Sequence, residues 1–210
     1  MHGRAAMSIE SATDLAGLRA IGAIVAEALD QMRRHVAAGV TTADLDAIAE
    51  EVLRRHGARA TPRAVYRFPG ASCISVNSEA VHGIPSRRAL RDGDLVKLDV
   101  TADRDGYVAD AARTVVVGEV PGLGQRLAAC AKAAFEQALL VARAGNRTRD
   151  VGRAVEREVS RHGFAVLPDL AGHGVGRGIH EPPCVPNYDE PRARDLLTEG
   201  MVLKIGRAHV

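Results

Sequence analysis

The chain lacks an excess of charge of either sign, a set of paired cysteines and any long apolar run. Each lack removes a class of protein. Lysine and arginine number 28 against 26 aspartates and glutamates, a formal net charge of +2, and the signs are mixed along the 210 residues. That balance leaves no footprint for nucleic acid and none for an anionic membrane surface. The paired arginines Arg33-Arg34 and Arg54-Arg55 fall inside helical patterns and read as solvated faces. The three cysteines, Cys73, Cys130 and Cys184, are odd in number and far apart. They form neither a disulfide framework nor a CxxC zinc pair, so a reducing, cytoplasmic setting is the default. Residues 1–10 contain no apolar segment of the signal-peptide kind, and no stretch approaches a membrane span. Residues 2–6 read as an unpatterned leader, so Met7 serves equally well as a start. There is no GxSxG elbow, no P-loop and no HExxH zinc motif.

What is present is a globular chain, 46% hydrophobic, able to bury a sizeable core. Its length suits one domain or two tightly joined halves. Leu15, Leu18, Ile21, Val25, Leu29, Met32 and Val36 recur at three-four spacing and predict a helix over 11–38, stopped by Gly39. A second helix is expected over 43–55, capped by Thr42 and ended by Gly57. Between 61 and 118 helical spacing fades and β-branched residues cluster, predicting strands at 73–76, 95–101 and 114–117. Asp103-Arg104-Asp105-Gly106 is a turn signal between the last two. Helices return over 123–143 and 148–162, followed by a short strand at 164–167 and a loop-like remainder rich in glycine and proline. Two helices then strands, twice over, suggests two similar halves.

The chemistry concentrates in three places. If Arg104-Asp105 makes a two-residue turn, Asp99 lies opposite Asp110; if Asp105-Gly106 makes it, the two are diagonal neighbours. Either way both carboxylates share a face, because side chains alternate along a strand. Facing like charges are unfavourable, and burial makes them worse. A shared proton, a basic partner or a cation must compensate, and a divalent metal is the strongest of these. The alternatives are that one aspartate faces solvent, or that Lys97, on the face of Asp99, pairs with it. The second place is Gly172-His173-Gly174-Val175-Gly176-Arg177-Gly178-Ile179-His180, too glycine-rich for a helix or an ordinary strand. Such density lets backbone pass close to something and exposes the two histidines rather than packing them. Its spacing fails the GxGxxG dinucleotide pattern. The third is His82-Gly83-Ile84-Pro85, just after a strand. His2, His35, His56, His162 and His209 fall in helices, at helix ends or near the termini, where surface roles are the default. Cys184 lies near His180, a weak basis for a Cys–His pair.

Taken together, Phe68-Pro69-Gly70-Ala71-Ser72-Cys73-Ile74-Ser75-Val76-Asn77, His82-Gly83-Ile84-Pro85, Gly93-Asp94-Leu95-Val96-Lys97-Leu98-Asp99-Val100, Asp105-Gly106-Tyr107-Val108-Ala109-Asp110 and the glycine-rich segment through Glu181-Pro182-Pro183 closely resemble the type I methionine aminopeptidases. The resemblance runs from about residue 7 to 203 with order and spacing kept. It implies an α+β "pita-bread" fold of two pseudo-symmetric helix-and-sheet halves around two divalent ions of cobalt, manganese, iron or zinc. It implies that Asp99, Asp110 and His173 are metal ligands. It implies that His82 contacts the scissile amide, that His180 helps hold the developing oxyanion, and that Phe68 and Cys73 line the pocket for the methionine side chain. The implied reaction is attack of a metal-bridged hydroxide on the first peptide bond of nascent polypeptides. A monomer that acts during translation, with docking on ribosomes, is the expected setting.

The match breaks at the end. The family places a metal-binding glutamate soon after a Gly-Met pair; here Gly200-Met201 arrives on schedule, but Gly206 occupies the glutamate position. A last carboxylate belongs to a later strand. Residues 205–210 back-translate as ATC GGA AGA GCA CAC GTC, the start of a common sequencing adapter. Residues 204–210 are therefore expected to be a non-native tail on a catalytic domain of 7–203 with an incomplete second half. The chain as it stands is expected to be poorly stable and essentially inactive. A proline-specific peptidase of the same fold and a non-catalytic binding homologue are the competing readings. The intact ligands Asp99, Asp110 and His173 count against the second.

Overall fold

The computed structural model describes residues 9–118 and 122–206. Two compact units divide the chain: Thr13–Gln125, and Arg126–Val210 together with Met1–Ala12. The proposed start at Met7 and the last residues of the proposed tail lie outside the described residues.

The first unit begins with helix α1 (Ala12–Arg34) and helix α2 (Thr42–Arg55). Leu18, Ile21, Val25, Ala28, Leu29 and Met32 form the buried stripe of α1 at three-four spacing. The helix stops short of Gly39 because the backbone beyond it has other partners. Gly39 N–H donates to the Leu90 carbonyl, and Leu90 N–H to that of Val40. The cap of α2 is Thr41, not Thr42. Thr41 Oγ1 accepts from Asp44 N–H at 3.1 Å while Asp44 Oδ2 accepts from Thr41 N–H at 3.0 Å, a reciprocal capping box. Thr42 is the first helical residue, its hydroxyl bonded to the backbone of Ser86.

A four-stranded antiparallel sheet follows: β1 (Arg59–Ala60), β2 (Cys73–Val76), β3 (Leu95–Arg104) and β4 (Tyr107–Val116), with β3 central. Between β1 and β2 lies a one-and-a-half-turn helix, α3 (Thr61–Tyr66), with Pro62 in its first turn, in a stretch where helical spacing is weak. Strands β3 and β4 run longer than their β-branched clusters because a tight hairpin holds them in register. Asp105 and Gly106, at φ 55° and 79°, form its turn. Positive φ at both central positions matches the strand twist, which is why Asp-Gly is favoured there. Val96, Leu98, Val100 and Ala102 of β3 are wholly buried on one face of the sheet.

The second unit holds α4 (Leu123–Val141), which begins at the unit boundary, then α5 (Thr148–Arg161) and a three-stranded antiparallel sheet. Its strands are β5 (Ala171–Gly174), β6 (Glu181–Pro186) and β7 (Leu203–Lys204), with β5 central. Its core is narrow: Cys130, Ala134 and Ala138 of α4 meet Val151, Val155 and Val159 of α5, with Val185 and Leu197. The strand expected at 164–167 does not form. Phe164 N–H continues the end of α5 by donating to Val159, and Phe164 and Val166 serve as packing residues against the core. Each unit thus repeats a helix pair followed by an antiparallel sheet. Among the described residues no helix is long and apolar enough to cross a membrane.

Candidate metal centre

The hairpin register decides how the two carboxylates of the first unit lie. Asp99 pairs with Ala112 and Asp110 with Thr101, so the two carboxylates are diagonal neighbours on one face. That is the outcome for an Asp105-Gly106 turn. Cys73 pairs directly with Asp99, and Ser75 with Lys97, so both belong to the same face. Strand β3 therefore divides its residues cleanly. Its even positions from Val96 to Ala102 bury in the core, and Lys97, Asp99 and Thr101 fall on the opposite, polar face. Asp99 and Asp110 are half-buried. Lys97 Nζ donates to the carbonyl of Glu79, and burial pushes its pKa down.

The His82-Gly83-Ile84-Pro85 turn is bound to this sheet. Ile74 N–H donates to Gly83 O at 2.9 Å, and Gly83 N–H donates to Ser75 Oγ at 3.0 Å. A Cβ at position 83 would lie 2.2 Å from the Ile74 carbonyl oxygen, so only glycine passes there. His82 is exposed and held at φ 57°, a conformation that non-glycine residues rarely take. Phe68 is half-buried, and Cys73 is buried at the start of β2.

The second unit corrects the expectation for the glycine-rich segment. Its start is not a loop but the central strand β5, and His173 is buried rather than displayed. Glycine is needed because neighbouring backbone covers the strand. A Cβ at 172 would meet Lys204 O at 2.4 Å, and one at 174 would meet Pro182 O at 2.3 Å. The Nδ1 of His173 lies 2.9 Å from Gly174 O. A carbonyl only accepts, so Nδ1 carries the proton, and in the neutral ring Nε2 is then the acceptor nitrogen. His180 is exposed and packs edge-on against His173, ring centroids 4.3 Å apart at 65°. Both rings line a cleft of about 500 Å³ with Asp169, Leu170, Glu181 and Cys184. Cys184 pairs across the strands with His173, but burial pushes its thiol up, which disfavours the thiolate a nucleophile needs.

Two supporting carboxylates went unread in the sequence. Glu181 Oε1 accepts from Arg177 N–H and Gly178 N–H, each at 2.6 Å, closing the loop that carries His180. Asp46 of α2 accepts from the backbone ahead of Cys73. Glu181 sits inside a quoted motif, so adjacency to His180 was its only signal; Asp46 had none. Neither unit, among the described residues, gathers three His, Cys, Asp or Glu side chains into a metal-holding cluster. Of the other histidines, His35 on the Gln31 carbonyl and His56 with Glu27 are exposed at helix ends, His162 with Glu158 is half-buried, and His2 and His209 lie outside the described residues.

In the first unit, two carboxylates on one sheet face are oxygen donors of the kind a divalent cation takes; in the second, His173 is an imidazole whose Nδ1–H is held by a backbone carbonyl. Residues 16–206 match metallopeptidase family M24. Methionine aminopeptidase 2 of Bacillus subtilis is 42% identical over 201 residues, spanning 95% of this chain and 81% of that protein. The crystal structure of methionine aminopeptidase from Rickettsia prowazekii superposes with a TM-score of 0.89 at 33% identity, over 95% of this chain and 81% of that one. A prolidase from Pyrococcus furiosus, TM-score 0.81 at 23% identity over 95% of this chain and 57% of its own, shares the fold. The chain belongs to metallopeptidase family M24 and, within it, to the methionine aminopeptidases. Its fold is the α+β pita-bread fold, and its class is that of hydrolases that act on peptide bonds with divalent metal.

Proposed function

We propose that this chain removes the N-terminal methionine from nascent polypeptides, with Asp99, Asp110 and His173 as metal ligands. The observation that carries the reading is the divided sheet, which gathers Asp99, Asp110 and Cys73 on one face while the other face is core. Two divalent ions, of cobalt, manganese, iron or zinc, would supply a water of lowered pKa and a Lewis acid for the scissile carbonyl. The chain's own residues do the rest. His82, on its glycine-pinned turn, contacts the scissile amide. His180 donates toward the oxygen that gains charge, a role that favours a fixed donor over a mobile one. Phe68 and Cys73 line the pocket for the methionine side chain. The protein acts as a monomer in the cytoplasm, with ribosome docking as its setting.

With glycine at 206 the 210-residue chain is expected to hold metal weakly and turn over little. The decisive experiment compares methionine release from Met-Ala and Xaa-Pro peptides with added divalent ions, together with metal content, for this chain and its Asp99→Asn and His173→Ala variants. The reading expects preference for Met-Ala and metal content that falls in both variants. Preference for Xaa-Pro peptides, or metal content unchanged in both variants, would overturn it.

A further inference from the structure

Asp46 stands apart from every motif of the site, yet its carboxylate accepts three hydrogen bonds beside it. It lies mid-helix in α2 and is 9% exposed. Its Oδ1 accepts from Ser72 N–H at 2.7 Å and from Ser72 Oγ at 2.7 Å, and its Oδ2 from Ala71 N–H at 3.2 Å. These donors belong to the stretch that joins Phe68 to Cys73, and Ala71 and Ser72 are themselves 2% exposed. On its other side the same stretch is wedged by the His82 turn. A Cβ at Gly70 would lie 2.9 Å from the Pro85 ring. Segment 68–73 is therefore held between a helix-borne carboxylate and the turn that carries His82. A carboxylate, with an acceptor oxygen on either side, fits the three donors. Asparagine has one acceptor oxygen, and its amide would aim N–H at an N–H; alanine leaves buried donors to water they cannot reach.

We propose that Asp46 is a positioning residue for the methionine pocket, fixing the wall formed by Phe68 and Cys73 so that it discriminates methionine from branched side chains. The proposal rests on the function argued above. Because the carboxylate sits on a regular helix, it anchors the wall to a rigid element, and a pocket wall on a rigid element selects by shape.

The test uses the full chain and its Asp46→Asn and Ser72→Ala variants, with two readouts that need no turnover. The first is the ratio of affinities for methioninamide and leucinamide. The second is the rate of iodoacetamide labelling of Cys73, read by peptide-level mass spectrometry, with Cys130 as an internal reference because it is wholly buried in the other unit. Loss of charge-assisted hydrogen bonds should lower the methionine-over-leucine ratio about tenfold in Asp46→Asn and raise Cys73 labelling by about tenfold or more, with Cys130 unchanged. Ser72→Ala, which loses the hydroxyl bond alone, should move both readouts in the same direction by less, and decides the matter if Asp46→Asn fails to fold. Faster Cys73 labelling with an unchanged ratio would make Asp46 merely structural, and unchanged labelling would remove the clamp; either overturns the proposal. A wild-type chain with no preference for methioninamide would instead sink the proposed function, while the labelling still reports on Asp46.

Discussion

Gly83→Ala is the sharpest perturbation the structure offers, because the atoms it would strike are backbone. The new Cβ would stand 2.2 Å from Ile74 O and 2.7 Å from both Ile74 C and Ser75 Cα. An ordinary carbon–oxygen contact is about 3.3 Å, so the turn must withdraw by about 1 Å. That shift opens the 2.9 Å bond from Ile74 N–H to Gly83 O and the 3.0 Å bond from Gly83 N–H to Ser75 Oγ. Two net hydrogen bonds at about 1 kcal/mol each, with residual crowding of about 1 kcal/mol, give a loss of about 3 kcal/mol. At about 2–4 °C per kcal/mol for a chain of this size, the melting temperature should fall by about 6–12 °C. Thermal unfolding by circular dichroism measures the fall, and amide exchange at Ile74 and Gly83 locates it. A fall under about 2 °C with both amides still protected would refute the argument, since the turn would then have absorbed a Cβ the packing forbids.

His173→Ala should weaken divalent-ion binding by at least about tenfold in titration calorimetry, since it removes a proposed nitrogen ligand whose Nδ1–H a backbone carbonyl holds. Leu98→Ala, on the core face of β3, should cost about 2–5 kcal/mol in urea unfolding while leaving the polar face in register. Acid should destabilise the chain in a defined direction. Hydrogen bonds from Arg149 hold Asp189, and those from Arg161 hold Glu158, below their ordinary values of 3.8 and 4.5. A depressed folded-state pKa means the contribution is full above the ordinary value and lost as pH falls through the lower one. Arg149→Ala and Arg161→Ala should therefore flatten the low-pH limb of a stability–pH curve, and a curve that keeps its shape would count against both pairs.

How much of this was readable in the sequence depended on how local each cause was. The stripe of α1 is local and emerges from spacing; a turn within 103–106 emerges from its residue types, and the structure places it at Asp105-Gly106. The parity of Asp99 and Asp110 followed from that turn, since either two-residue placement puts them on one face. The burial of His173 has a cause that spacing does not show: its glycines are positions where β6 and β7 backbone lies within 2.4 Å of where a Cβ would stand, and β7 is only two residues long while β6 carries three prolines, so neither reads as a strand. The early end of α1 has the same origin, in pairing with residues near Leu90. Asp46 was invisible for a stricter reason. Its partners are backbone N–H groups and a hydroxyl about a helix and a strand away, and every sequence carries such groups.

The divided sheet also makes a claim about energy that separates a binding site from a structural one. Asp99 and Asp110 share a face as diagonal neighbours, near enough for like charges to repel. Where no structural partner offsets it, that repulsion opposes folding without metal; with a cation it becomes attraction to a common charge. Asp110→Asn should therefore stabilise the metal-free chain, by about 0.2–1 kcal/mol on the scale of cross-strand pairs. The same substitution should remove the stabilisation that added divalent ion confers on the wild type, which grows with the logarithm of free ion concentration. The two unfolding curves, with chelator and with saturating metal, must then change order: the variant above the wild type in the first, below it in the second. A variant less stable in chelator would mean that Asp110 is held by structural partners and that the face exists for the fold. A change of order would mean that the sheet stores unfavourable charge which only a cation relieves, and that stored cost is what a metal-binding face requires.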